Sequence, residues 1–180
     1  MDKWWENLVE TTKQETDKAE YFKPQPGDNR VRVVAPPFAG YLDWDYTDPS
    51  KPKGKPVRTV LSKGKPVPLN KDKDKQPKVF WAIAVYNYAT ESIAVWEVTQ
   101  VSILDTLMGY LQDSDFGPLT EYDIKINKTG SNLETKYKVT PGPVKPFDEK
   151  ITEAISGVSI TLEALLENGD PIVQIAKPNF

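Results

Sequence analysis

The stretch VFWAIAVYNYATESIAVWEVT, residues 79–99, decides the architecture. It holds two runs of β-branched and aromatic residues joined by the mostly polar Ala89, Thr90, Glu91 and Ser92, the pattern of a hairpin. Alternation puts Phe80, Ala82, Ala84, Tyr86 and Tyr88 on one side and Trp81, Ile83, Val85 and Asn87 on the other. Both sides are largely apolar or aromatic, so each requires a cover, either protein or a flat ligand. The hairpin is therefore expected at the centre of the fold.

Upstream, Pro26, Gly27 and Asp28 predict a turn leading into a half-buried strand in which Val31 and Val33 alternate with Arg30 and Arg32, the arginines sharing one face. FAGYLDWDYT, residues 38–47, reads as a second strand with Trp44 and Tyr46 on one side. Residues 1–20 read as an amphipathic helix or arm, with Asp2 at its N-cap and Trp4, Trp5, Leu8 and Val9 together. Downstream, Thr99 is expected to cap a helix over 100–112 whose apolar stripe is Ile103, Leu104, Leu107, Met108 and Leu111.

YDIKINKTGSNLETKYKVTP, residues 122–141, alternates on both sides of Gly130 and Ser131, which predicts a hairpin centred between them. In that register Ile124 faces Tyr137, Tyr122 faces Val139, Asp123 faces Lys138 and Lys125 faces Lys136. Directly opposed lysines cost up to about 1 kcal/mol, a cost that neighbouring acids or a bound phosphate backbone would offset. PGPVKPF reads as a stiff linker. Beyond it Asp148 is expected to cap a helix with Ile151, Ala154 and Ile155 that stops at Gly157, and Thr161 to cap another with Leu162, Leu165 and Leu166 that stops near Gly169. The organisation expected is an arm over 1–20, a core over 21–147 with a basic loop at 51–78, and short packing helices and a tail over 148–180. Pattern alone gives a β-rich domain with peripheral helices.

The 180 residues are 38% apolar, 11% aromatic and 27% charged, enough for one well-cored domain. Cysteine and histidine are both absent. That removes disulfide scaffolds, thiolate and imidazole metal sites, and the Cys/His and Ser/His nucleophile systems together. No apolar run approaches the roughly 20 residues that span a bilayer, and MDKWWENLVE lacks the layout of a secretion signal. A soluble cytoplasmic protein is expected, with no cofactor and no metal.

The net charge of −3 conceals an uneven distribution. Residues 51–78 carry 10 basic and 2 acidic side chains, and residues 121–147 carry 5 against 3, whereas 79–120 have 5 acids and neither Lys nor Arg. Segregated positive charge in a mildly acidic protein suits a polyanion, although a lysine-rich loop is often only a solvated one. Catalysis would rest on carboxylates and lysine, and the only suggestive string is Asp123, Ile124, Lys125, the end of a nuclease-like acid pattern with no upstream acid placed for it. A magnesium-dependent nuclease is thus the least supported reading. No phosphate-cradling glycine motif occurs.

Binding without chemistry fits better. Five Trp, eight Tyr and six Phe are interleaved with strand-borne Arg and Lys, and a single nucleic-acid strand offers flat bases to the rings and a charge at each linkage to the cations. The helix over 100–112 has no basic residue to enter a major groove, which disfavours duplex reading.

Three ordered features, PGDNRVRVVAPP, KVFWAIAVYNYATESIAVWEVTQVSI and YDIKINKTGSNLETKYKVTPGP, followed by a segment ending in LEALLENGDP, resemble the single-stranded DNA-binding proteins of tailed phages related to the T-even helix-destabilising protein, over about residues 20–170. The resemblance implies a mainly β, OB-fold-like, five-stranded Greek-key barrel with peripheral α-helices, and a role in phage DNA replication, recombination or repair in the host cytoplasm. It carries no zinc site, since the Cys and His that build one are lacking. The acidic partner-recruiting tail common in such proteins has no counterpart in VQIAKPNF, so either it has been removed or recruitment uses other surfaces.

On this reading Arg30, Arg32, Arg58, Lys78, Lys125, Lys136 and Lys138 are expected to contact phosphates, and Trp44, Tyr46, Trp81, Tyr86 and Trp96 to stack on bases, several of these rings being core candidates too. The basic loop is expected to close over the strand. Single-stranded DNA is the expected partner, with phage replication proteins and a second copy of the chain as further candidates. The competing reading is a protein-interaction module of a phage replisome or particle, in which the rings pack inside and the lysines only solubilise.

Overall fold

The computed structural model describes residues 19–73 and 75–175. The helix expected over residues 1–20 lies, except for its last two positions, outside the described residues. In chain order come β1 (Gly27–Val33), β2 (Phe38–Asp45), β3 (Lys55–Val60), β4 (Lys78–Asn87), β5 (Ser92–Val98), the helix α1 (Val101–Gln112), β6 (Tyr122–Thr129), β7 (Lys136–Val144), the helix α2 (Glu149–Ser156), β8 (Val158–Ile160) and β9 (Ile172–Gln174). The fold is mainly β and antiparallel, with few helices.

Strand β4 organises it. Along one edge it pairs first with β2 (Gly40 opposite Phe80) and then with β1 (Arg32 opposite Tyr86). Along the other it pairs with β5 (Ile83 opposite Trp96). The sheet continues from β2 to β3 and from β1 through β6 to β7, while β8 and β9 form a separate ribbon. Among the described residues β3 and β7 do not meet, so the pairing does not close into the barrel expected.

The two apolar sides of β4 are covered by protein. Trp81, Ile83 and Val85 enter one core with Val31, Val33, Trp96, Ile124, Ile126 and the α1 residues Ile103, Leu104 and Leu107. Phe80, Ala82, Ala84 and Tyr86 enter another with Leu42, Val95, Ile151, Leu162, Leu165 and Ile172, so the C-terminal segment roofs that side. This is why a continuous apolar run of this length is tolerated here. Each face of the strand removes its own apolar area from water, at about 25 cal/mol per Å². β2 crosses closely enough that only glycine fits at position 40, where a Cβ would lie 2.4 Å from the Thr59 carbonyl oxygen and 2.9 Å from the Phe80 ring.

Several local expectations are corrected. The β6–β7 hairpin is centred two residues later than Gly130–Ser131, because Asn132–Glu134 form a 3-10 turn inside the loop. Lys125 therefore faces Thr140, Lys138 faces Asn127 and Lys136 faces Thr129, so no lysine opposes another. From Ile124 to Thr129 each partner moves by four positions, an even number, which keeps these side chains on their expected face, while Tyr122, beyond the irregularity, faces Val144 in place of Val139. The PGPV of the expected linker completes β7 instead. That edge position and the irregular register between Tyr122 and Ile124 suit prolines, which have no N–H to give. Helix α1 begins after Gln100 with no side-chain cap, so Thr99 does not serve. Met108 and Leu111 lie outside the buried part of its stripe. Helix α2 is capped as its sequence predicts, with the Asp148 carboxylate accepting from the Ile151 N–H at 2.9 Å and Gly157 at its end. Thr161 precedes the 3-10 segment Leu162–Glu167 without a side-chain cap.

Candidate nucleic-acid interface

Six residues of the basic segment 51–78 form β3, hydrogen-bonded to β2. The chain then returns over the end of β2 and is fastened there by Asp43, a 4% exposed carboxylate whose Oδ2 accepts from the Leu69 N–H at 2.9 Å and whose Oδ1 accepts from the Trp44 N–H at 2.8 Å. Asn70 Nδ2 donates to the Trp44 carbonyl at 2.8 Å. These bonds shape a cleft of about 300 Å³ lined by Trp44, Tyr46, Asn70, Lys75, Gln76 and Lys78, with Leu42, Asp43 and Thr99 beneath.

Trp44 is 38% and Tyr46 39% exposed, and Lys75 Nζ stands over the Tyr46 ring, 4.5 Å from its centroid. Gly54, at φ 83°, backs Tyr46 so closely that a Cβ there would approach three ring atoms at 2.8–3.3 Å. Two predicted stacking residues and the predicted phosphate contact Lys78 thus share one cleft. Lys75 joins them and was not singled out by sequence reasoning. The spacing that would have marked it is set by the path of an irregular loop.

A second basic region lies on the β1–β6–β7 part of the sheet. Arg30, Lys125 and Thr140 are neighbours across three strands, and Lys138 follows on β7 two residues from Thr140. Arg30, Lys125, Lys136 and Lys138 are exposed. Arg30, Lys125 and Thr140 also line a shallow cleft of about 250 Å³ with Pro141, Gly142 and Pro143. By register, Trp44 and Lys78 project from the same face of the sheet as Arg30, Lys125 and Lys138, and the C-terminal segment covers the Phe80–Tyr86 stretch between them.

The other expected contacts are corrected. Trp96 and Tyr86 are each 2% exposed and Trp81 7%, so none of the three offers a ring to a base. They fill the two cores on either side of β4, and Trp96 packs edge-on against Phe22 at 5.7 Å. Arg32 is buried, donating from Nε to the Thr120 carbonyl at 2.9 Å and from Nη2 to the Lys145 carbonyl at 2.6 Å, with its guanidinium over Phe147. Arg58 forms a two-pronged pair with Glu97, at 2.8 and 3.1 Å, and donates to Asn168. Both arginines hold the fold together: Arg32 is kept from phosphate by its burial, its Nη1 having no hydrogen-bond partner among the described residues, and Arg58 by donors already given to Glu97 and Asn168.

Asp123 is likewise occupied. Tyr88 Oη donates to it at 2.7 Å, Arg30 Nε at 2.8 Å and Lys145 Nζ at 2.9 Å, with Arg32 Nη1 at 3.7 Å. Burial pushes its pKa up, but the hydrogen bonds from Tyr88, Lys145 and Arg30, with the charge of Arg30, outweigh burial and hold it below the usual carboxylate range. Burial and the bond to Asp123 together push the Tyr88 phenol well above its ordinary value. Among the described residues no group of three or more Asp, Glu, Cys or His is placed to hold a metal ion, and no helix is long and apolar enough to cross a membrane. Comparison with protein-family models, with curated proteins and with solved structures found no match.

Proposed function

We propose that this chain binds single-stranded DNA without chemistry and with little sequence preference, in phage DNA replication, recombination or repair. The observation that carries the reading is the convergence of Trp44, Tyr46, Lys75 and Lys78 on one open cleft, exposed rings beside cations that make no ion pair among the described residues. Stacking on an aromatic is worth about 1–3 kcal/mol per base and tolerates any base, and the lysines would follow the linkages. Arg30, Lys125, Lys136 and Lys138 would extend the phosphate track on the same sheet. An OB-type roll belongs to the same proposal. Its support is that β2 and β1 share one edge of β4 in succession, as strands do where a sheet curls. Host cytoplasm is the setting this reading implies.

The test is titration with a fluorescent oligothymidine at several salt concentrations, and then with duplex. Affinity is expected to fall with a log-log slope near −0.7 for each phosphate contacted, and duplex to bind more weakly. Absence of binding, or preference for duplex, overturns the proposal.

The burial of Trp81, Tyr86 and Trp96 and the internal pairing of Arg32 and Arg58 favour a second reading, a protein-interaction module of a replisome or particle. Association through apolar surface would hardly respond to salt. A nuclease has less support, because Asp123, the acid of its only candidate string, is already held by donors from Tyr88, Arg30 and Lys145, with the Arg32 guanidinium nearby.

A further inference from the structure

We propose that the space between Trp44 and Tyr46 is a slot for one nucleobase, and that the Lys75 ammonium rests there until a strand displaces it onto a phosphate. This rests on the single-strand reading and gives it a particular occupant. Trp44 and Tyr46 are two residues apart where β2 ends, and two residues of extended chain span about 6.6 Å. A flat ring held between two others needs about 3.5 Å on each side, so one base fits and a stacked pair does not. Among the described residues neither ring packs on another aromatic. With Gly54 backing Tyr46, the free cleft lies on the side lined by Trp44, Lys75, Asn70, Gln76 and Thr99, whose polar groups suit the edge of a base.

Lys75 is the movable part. Its Nζ stands over the Tyr46 ring and makes no ion pair among the described residues, unlike Arg30, Arg58 and Lys145, each tied to a carboxylate. A cation held only by a ring loses little on leaving it for a phosphate, and the ring it uncovers is then free to stack. Binding on this scheme exchanges a cation–ring contact for a base–ring contact and adds one phosphate contact.

The experiment follows the indole N–H of Trp44 by NMR in the full chain. An oligothymidine of about eight residues, within the span of one such site, is compared with an abasic strand of the same length. Oligothymidine is expected to shift the Trp44 resonance and the abasic strand to leave it in place. Lys75→Gln, at an exposed position, is expected to reduce the salt slope for oligothymidine by about 0.7. If oligothymidine binds but Trp44 does not respond, or responds equally to the abasic strand, the slot is wrong while single-strand binding stands. If Trp44 responds but Lys75→Gln leaves the slope unchanged, the displacement of Lys75 is wrong. If no strand binds at any salt, the parent reading fails and the slot with it.

Discussion

Removing the indole of Trp44 and removing that of Trp96 are expected to have opposite signatures. Trp44 stands in an open cleft, so Trp44→Ala should leave the melting temperature nearly unchanged and weaken oligothymidine binding by the value of one stack, about 1–3 kcal/mol or roughly 5- to 150-fold. Trp96 is sealed between β4, Phe22 and α1, so Trp96→Ala should cost about 3–5 kcal/mol of stability, read by urea denaturation. Tyr122 makes the opposite case for a polar atom. Its hydroxyl is buried with no hydrogen-bond partner among the described residues, and burial, with a smaller push from Tyr110, drives its pKa up to about 12. An unsatisfied buried hydroxyl costs about 1–3 kcal/mol, so Tyr122→Phe is expected to raise the denaturation midpoint. A lowered midpoint would mean the hydroxyl has a role that its surroundings do not reveal.

At the scale of elements, periodicity was informative wherever a side chain's partner lay on the same strand or helix. The two faces of β4, the alternation of Val31 and Val33 with Arg30 and Arg32, and the Asp148 cap are all set by near neighbours, and all are legible in the residues themselves. Asp148→Ala should cost about 1 kcal/mol, lowering the melting temperature by roughly 2–4 °C in a chain of this size, while Asp148→Asn should be nearly neutral. What periodicity does not contain is which buried-looking ring has protein over it. Trp81, Tyr86 and Trp96 share the β-aromatic pattern of Trp44 and Tyr46, and they differ only because α1 and the C-terminal segment return over β4 from distant parts of the chain. The same holds for Arg58, whose partner Glu97 is 39 residues away. The hairpin register failed for a more local reason, the 3-10 turn at Asn132–Glu134 that lengthens the loop.

Over the whole molecule, Asp123 joins β1, β6, the residue after β5's hairpin partner β4 and the stretch beyond β7 through Arg30, Arg32, Tyr88 and Lys145. Its pKa is lower folded than unfolded, so the stabilisation it gives is complete above the unfolded value near 3.9 and is lost as pH falls through the folded value. Asp123→Asn removes the charge at every pH. Breaking one side of a buried pair costs about 3–5 kcal/mol, so the gap between the variant and the parent should be full at pH 7 and close as both are acidified below about pH 4. A gap that is constant with pH would show that the carboxylate's charge is not what matters.

The position of β4 has a consequence for how the chain breathes. Its peptide groups have strand neighbours on both edges except at Ile83 and Ala84, where on one edge, among the described residues, only the Val34 N–H reaches the Ala84 carbonyl, and a sealed core lies above and below. Deuterium from solvent can therefore reach the amides of Trp81–Tyr86 only when both cores come apart together, and their exchange would time the opening of the entire fold.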